Sequence, residues 1–202
     1  MKNKYGNKGI KEKAKEKEKK KKKKKKSLQR AELNIKNKTT LGGLSGESQK
    51  SASHLKMVEV GEKAETLRTA EARGEVRISA EVMKRLLENS LPKGDVLTAA
   101  QLAGIQAAKK TSELIPLCHP LRLTSAKVEI IPKPEENLVE VKSVVKAVDR
   151  TGVEMEALTA VVVACLTIYD MCKAFDKRIV ISDVHLLSKN GGKSGDFHWE
   201  RE

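Results

Sequence analysis

The sequence predicts an α+β fold: a ferredoxin-like antiparallel or mixed sheet packed against helices, preceded by a disordered basic N-terminal tail. Three observations predict it. After residue 53 the elements read β-α-α-β-β-α-β, a split βαβ arrangement once one early helix is set aside as extra. Gly152–Phe175, GVEMEALTAVVVACLTIYDMCKAF, holds thirteen uncharged residues, Ala157 to Tyr169, between ionisable ends. That run is shorter than the roughly 18 residues of a membrane span, so a buried core helix is the economical reading. Residues 54–202 are also numerous enough to enclose a single core.

In chain order, Ala64–Ile78 alternates in part and reads as a strand. Ser79 is a suitable N-cap for a helix over Ala80–Asn89, with Glu81 in its first turn. Pro92-Lys93-Gly94-Asp95 reads as a turn, and Leu97–Lys110 as a second helix. Pro116 and Pro120 fix the backbone around His119 in extended or turn form. Leu121–Ile131 and Leu138–Val148 are strands joined by a turn at Pro132–Asn137. In the long helix, Ala157, Ala160 and Ala164 are small enough to admit a neighbouring backbone. Arg178–Val184 is the last strand. Leu186–Phe197, LLSKNGGKSGDF, follows as a glycine-lysine loop whose N–H groups and lysines suit phosphate, although GGKSG lacks P-loop spacing. One Trp, two Phe and two Tyr leave the core to aliphatic side chains.

The formal charge of +14 resembles a nucleic-acid binder until it is divided by position. Of 41 Lys/Arg and 27 Asp/Glu, residues 1–50 carry 19 and 5, which leaves 22 of each in the remainder. The excess therefore belongs to a Lys-rich tail and linker, 1–53, with too little apolar surface to offset the entropy of ordering. A solvated appendage is the plain reading of that tail; attachment to RNA, DNA or an anionic surface is the sharper one. It lacks the apolar stretch of a signal peptide, and its glutamates are foreign to a transit peptide, so a cytoplasmic protein without a membrane partner is expected. Three cysteines without a CxxC pair fit that compartment, with Cys165 and Cys172 as small core residues. Four scattered histidines show no zinc spacing, and no metal or cofactor is assigned.

The chemistry-bearing candidates are Lys93, His119, Glu154, Glu156, Asp170, Lys173, Lys189 and Lys193. Each has an ordinary explanation: a solvated turn lysine, a structural histidine, acids favoured at a helix N-terminus, a surface i,i+3 pair, a flexible loop. Together they supply acid/base groups and several cations, a set suited to proton transfers on an anionic substrate. Glu156 and Asp170 lie fourteen positions apart and share a helix face, yet sit ~21 Å apart along the axis. If both are functional, they serve two sites or one site shared between subunits.

PLCHPL (116–121), TGVEMEALTA (151–160), LTIYDMCKA (166–174) and KNGGKSGDF (189–197) resemble the molybdenum-cofactor biosynthesis protein C family. So do KGDVLTAAQLAGIQAAKKTSELI (93–115) and MVEVGEKAETLRTAEA (57–72), with Glu59 where the family usually has Asp. The similarity covers about 57–198, and the tail has no counterpart in it. It implies a pyrophosphate-releasing lyase. Its substrate would be (8S)-3′,8-cyclo-7,8-dihydroguanosine 5′-triphosphate, made by an upstream radical enzyme, and its product cyclic pyranopterin monophosphate. It also implies a homohexamer, a trimer of dimers, with sites at subunit interfaces. The family's functional positions fall on Lys93, His119, Glu154, Glu156, Asp170 and Lys173, and its substrate-contacting segments on Leu117, Cys118, His119, Met155 and Glu156. On this resemblance Asp170 is the general acid/base and Lys173 its tuning neighbour or proton donor. Lys93, with Arg68, Lys189 and Lys193, neutralises phosphate charge; His119, Glu154 and Glu156 hold the guanine-derived ring. The competing readings are a non-catalytic phosphate-binding or assembly module, and a nucleic-acid-associated protein acting through the tail. The net-neutral folded part and the scarcity of aromatic stacking platforms weigh against the latter.

Overall fold

The computed structural model describes residues 55–193 and 195–200. The expected tail, and its boundary near residue 53, lie outside the described residues. β1 (Thr66–Arg77) leads into α1 (Ala80–Leu87), α2 (Val96–Lys109) and the single turn α3 (Thr111–Leu114). β2 (Leu123–Lys133) and β3 (Leu138–Asp149) form a hairpin through a 3-10 turn at Pro134–Glu136. α4 (Glu154–Cys172), β4 (Val180–Asn190) and the short β5 (Phe197–His198) complete the fold. The sheet is antiparallel throughout, in the order β2-β3-β1-β4-β5. β1 and β2 are separated by β3, and β3 and β4 by β1, so both crossovers are split βαβ units as the element order predicted.

The helix starts have local causes. Ser79 Oγ accepts from the Val82 N–H at 3.4 Å, and Asp95 Oδ1 accepts from the Thr98 N–H at 3.0 Å, so part of the expected turn is already the cap of α2. β1 alternates: Ala70, Ala72 and Val76 are fully buried toward α4, while Glu71, Arg73 and Glu75 face the other way. Val139, Val141, Val145 and Ala147 of β3 extend the same apolar face. Against it lie Ala157, Ala160, Val161, Ala164 and Ile168 of α4, all without exposed surface. Gly104 of α2 crosses at the alanines; a Cβ there would lie 2.9 Å from the Ala160 carbonyl oxygen and 3.3 Å from the Ala164 Cβ. By length and composition α4 is the helix among the described residues that could cross a membrane, yet ten of its nineteen residues are buried in this core.

Most boundaries shift by one or two residues, and two of the differences have a clear physical reason. Pro132 stands in β2 rather than in the turn, tolerated because β2 is an edge strand whose missing N–H breaks no ladder on the outer side. β4 does not stop at Val184 but continues to Asn190, paired with β1 through Ala70↔Lys189 and Thr69↔Asn190. A register shift opposite Gly74, with Asp183 at φ 53°, interrupts the period-two pattern that would have revealed this continuation. The first part of the expected glycine-lysine loop is therefore strand, and Lys189 has a fixed place on the sheet.

Candidate active site

Both ends of α4 carry charge, and the helix is unbroken between them. At the C-terminal end, Asp170 sits in the last turn and Lys173 is the C-cap residue. Lys93, from the turn between α1 and α2, reaches the same place. Its Nζ lies 2.6 Å from Asp170 Oδ2 and 3.2 Å from the Asp170 carbonyl oxygen. Lys173 Nζ lies 2.8 Å from Asp170 Oδ1. The hydrogen bonds from Lys173 and then Lys93 hold the Asp170 carboxyl down to about 2, and Asp170 in turn raises the Lys173 ammonium above the ordinary lysine value. Near neutrality Asp170 is therefore a carboxylate and Lys173 an ammonium, and all three side chains are about half exposed to solvent.

At the N-terminal end the balance reverses. Glu156 is only 4% exposed, and burial, with the neighbouring Glu154 and Asp149 carboxylates adding to it, pushes its carboxyl up to about 7. The Cys118 thiol is raised by burial and by the charge of Glu156, so the proline-bracketed segment and the α4 entrance share one electrostatic environment. A folded-state value of about 7 against the ordinary 4.5 means that the native chain binds more protons between those pH values. Stability then falls as pH rises through that window, by on the order of 3 kcal/mol. Glu156→Gln will melt higher than the wild type at pH 8, with the gap closing toward pH 4.5; thermal melts at both pH values check this. An equal gap at both would show that the buried charge is not the cause.

Beside this entrance opens a cleft of about 620 Å³. Its walls are residues 62–64 before β1, Thr66 and Arg68 of β1, the β3–α4 turn at Arg150–Gly152 with Glu154, and Lys189 with the Gly191-Gly192-Lys193 loop. Arg68 is 8% exposed; its Nε donates to the Asp149 carbonyl oxygen at 3.3 Å and its Nη2 to that of Arg150 at 3.4 Å. Gly191 (φ 93°) and Gly192 (φ 89°) bring the loop down onto this guanidinium. A Cβ at Gly192 would fall 1.6 Å from Arg68 Nη1, and one at Gly191 2.3 Å from the Leu67 carbonyl oxygen. Gly191 N–H also donates to Asp196 Oδ1 at 3.1 Å. Lys189 Nζ pairs with Glu154 Oε1 at 3.1 Å, and the Glu154 carboxylate folds back to where a Gly152 Cβ would stand. Lys63, Arg68, Arg150, Lys189 and Lys193 outnumber Glu62 and Glu154 on these walls, so the concavity favours an anion.

The structure thus brings Arg68, Glu154, Lys189 and Lys193 together, sets Cys118 within the electrostatic reach of Glu156, and joins Lys93 to Asp170 and Lys173. Within one chain Lys93 does not lie beside Arg68 and Lys189; α4 holds the two sets apart. Leu117 and Met155 are 46% and 37% exposed, and His119 is half-buried. Arg150 and Lys63 were not singled out from sequence. Arg150 directly precedes TGVEME, and Lys63 lies inside the MVEVGEKAETLRTAEA stretch, so each adjoined a segment already marked.

A family model described as the MoaC family matches residues 57–192. A protein of Chloroflexus aurantiacus named cyclic pyranopterin monophosphate synthase is 53% identical over 150 residues, 74% of this chain and 91% of that protein. Proteins of the same name from Desulfitobacterium hafniense and Pelotomaculum thermopropionicum are 57% and 55% identical over 144 and 147 residues. Those alignments cover 70% and 73% of this chain, and 86% of each relative.

Proposed function

The chain belongs to the MoaC family, and on that premise we propose that it is a cyclic pyranopterin monophosphate synthase of molybdenum-cofactor biosynthesis. It would take the cyclised dihydro-GTP from an upstream radical enzyme in the cytoplasm, act as a lyase and release pyrophosphate. The observation that carries this reading is the pairing of a five-cation cleft with the Lys93–Asp170–Lys173 cluster. The cleft supplies fixed positive charge for a triphosphate and for the pyrophosphate that leaves as a substrate hydroxyl oxygen attacks the α-phosphorus and closes the cyclic phosphate. The cluster supplies proton transfer for opening and reclosing the purine-derived ring. The low value of the Asp170 carboxyl supports a donor's part for Lys173, with Asp170 accepting, orienting and keeping that ammonium charged. His119, Glu154 and the near-neutral Glu156 would hold the ring at the other end of the helix. The test is pyrophosphate release and pterin formation from the cyclised triphosphate by the full-length protein. A folded protein that binds the substrate without turning it over would favour the binding-module reading.

The two ends of α4 make one site only if a second copy supplies one of them. A stripe on this helix supports that arrangement: Met155, Val162 and Leu166 are 37%, 38% and 52% exposed, and Lys173 continues the same line. An antiparallel α4 from a second copy would cover the stripe and set its acidic first turn against Lys173 and Lys93, with helix axes ~8–10 Å apart. A two-fold dimer of this kind gives two equivalent shared sites, the unit from which a hexamer would be built. Leu166→Glu will lower the oligomeric state and turnover together while helical circular dichroism stays unchanged. An active monomer would dispose of the shared site.

A further inference from the structure

β5 is two residues long, lies at the edge of the sheet and meets β4 through Ser188↔His198 and Lys189↔Phe197. So short a strand adds little ladder of its own and needs a further hold. The next residue supplies it. The Trp199 N–H donates to the Leu187 carbonyl oxygen at 2.8 Å, and its indole lies on the His185 imidazole, ring centroids 4.1 Å apart at 41°. His185 is a fixed seat for that ring. It stands opposite Arg73 of β1, and its Nδ1 lies 3.0 Å from the Asp183 carbonyl oxygen and 3.3 Å from Asp183 Oδ1. Both of those oxygens accept, so Nδ1 carries the proton. Asp183 is held in turn by Arg73 Nη2 at 3.4 Å, which also lies 3.6 Å from Glu140 Oε1 on β3. The imidazole is thus anchored by a chain of charges across three strands.

β4 and β5 are the two ends of the turn at residues 191–196. Inside it, the Gly195 N–H donates to the Gly192 carbonyl oxygen at 3.2 Å, and the Gly191 N–H to Asp196 Oδ1 at 3.1 Å. Asp196 immediately precedes β5, so the bond that closes the turn is only as firm as β5 itself. We propose that Trp199, stacked on His185, is the positioning residue that clasps β5 to β4 and so fixes this turn beside Arg68. Neither ring lines the cleft; the clasp acts through the turn, whose Gly192 lies against the Arg68 guanidinium. With the clasp closed, Gly192 stays on Arg68 and Lys193 stays on the wall. With it open the turn leaves, and substrate meets a complete cleft in only a fraction of the molecules. The consequence for catalysis rests on the function proposed above; the clasp itself does not.

Trp199 is the sole tryptophan of the chain, so its fluorescence in the full-length protein reports the clasp without a label. His185→Asn retains a donor toward Asp183 and removes the ring beside the indole. Acrylamide should quench Trp199 more efficiently in that variant, with emission moved to the red. Hydrogen exchange of the peptide spanning 190–197 reads the turn. Its protection should fall about fivefold in His185→Asn and in Trp199→Ala alike, the worth of one aromatic pair. The double variant should fall no further, because both changes remove the same contact. Trp199→Phe, which can still stack, should recover most of the protection. KM for the cyclised triphosphate should rise by the same factor while kcat is kept. Unchanged quenching in His185→Asn would overturn the clasp. Wild-type exchange in Trp199→Ala, or additive losses in the double variant, would overturn its hold on the turn. Faster exchange with KM unmoved would overturn the positioning role. Faster exchange in variants of a wild type that turns over no substrate would leave the clasp standing and sink the activity instead.

Discussion

Asp170→Asn will lose at least about a hundredfold in turnover, the usual worth of a positioned acid/base group, while the protein stays folded. Asn has the shape of Asp but carries no charge, and Asp170 faces Lys173 at 2.8 Å and Lys93 at 2.6 Å. Removing the carboxylate leaves two ammonium groups without their common partner. The Lys173 value, raised by Asp170, drops back, and both side chains lose the bonds that aim them. The three side chains are half exposed and outside the core, so circular dichroism and melting should barely change. Pyrophosphate release under single-turnover conditions is the measurement. Turnover near the wild-type rate would remove Asp170 from the chemistry and leave the cluster as a surface charge pair.

The second large effect is a recovery. His119→Ala and Asp170→Asn chains, each inactive alone, will regain activity when dissociated, mixed in equal amounts and reassembled. On the shared-site proposal, His119, next to the Cys118 thiol that feels the Glu156 charge, comes from one chain and Asp170, at the far end of α4, from the other. In a two-fold dimer with random exchange, half the dimers are mixed and each holds one intact site, so about a quarter of wild-type activity is expected. Native mass spectrometry must show the mixed species in the same sample. Mixed oligomers that form and remain inactive would mean that each chain carries its own site, and the ~21 Å between the helix ends would need another explanation.

Part of this was legible in the sequence because it depends on neighbours along the chain. Ser79 announces a helix by its side-chain oxygen, and Pro116 with Pro120 excludes one. The alternation of Ala70, Ala72 and Val76 marks a half-buried strand. Asp170 and Lys173 meet at 2.8 Å because i,i+3 residues on a helix must be neighbours. Even the close approach of another backbone to Ala160 and Ala164 could be foreseen, although not that Gly104 would make it.

The sequence by itself determined the α+β order, the core helix, the family resemblance and the separation of Glu156 from Asp170, since a rigid rise per residue converts positions into a distance. Only the tertiary structure decided which residues meet across that distance. Lys93 joins Asp170, 77 positions away along the chain, rather than Arg68. Glu156 titrates near neutrality because the residues packed around it remove water, which its place in a first helical turn does not reveal. Arg150 reaches Gly61 across 89 positions, and Gly192 lies against Arg68 only because β4 and β1 are paired. Periodicity and spacing record the local geometry of a chain, whereas burial and charge pairing are properties of surfaces that folding brings together.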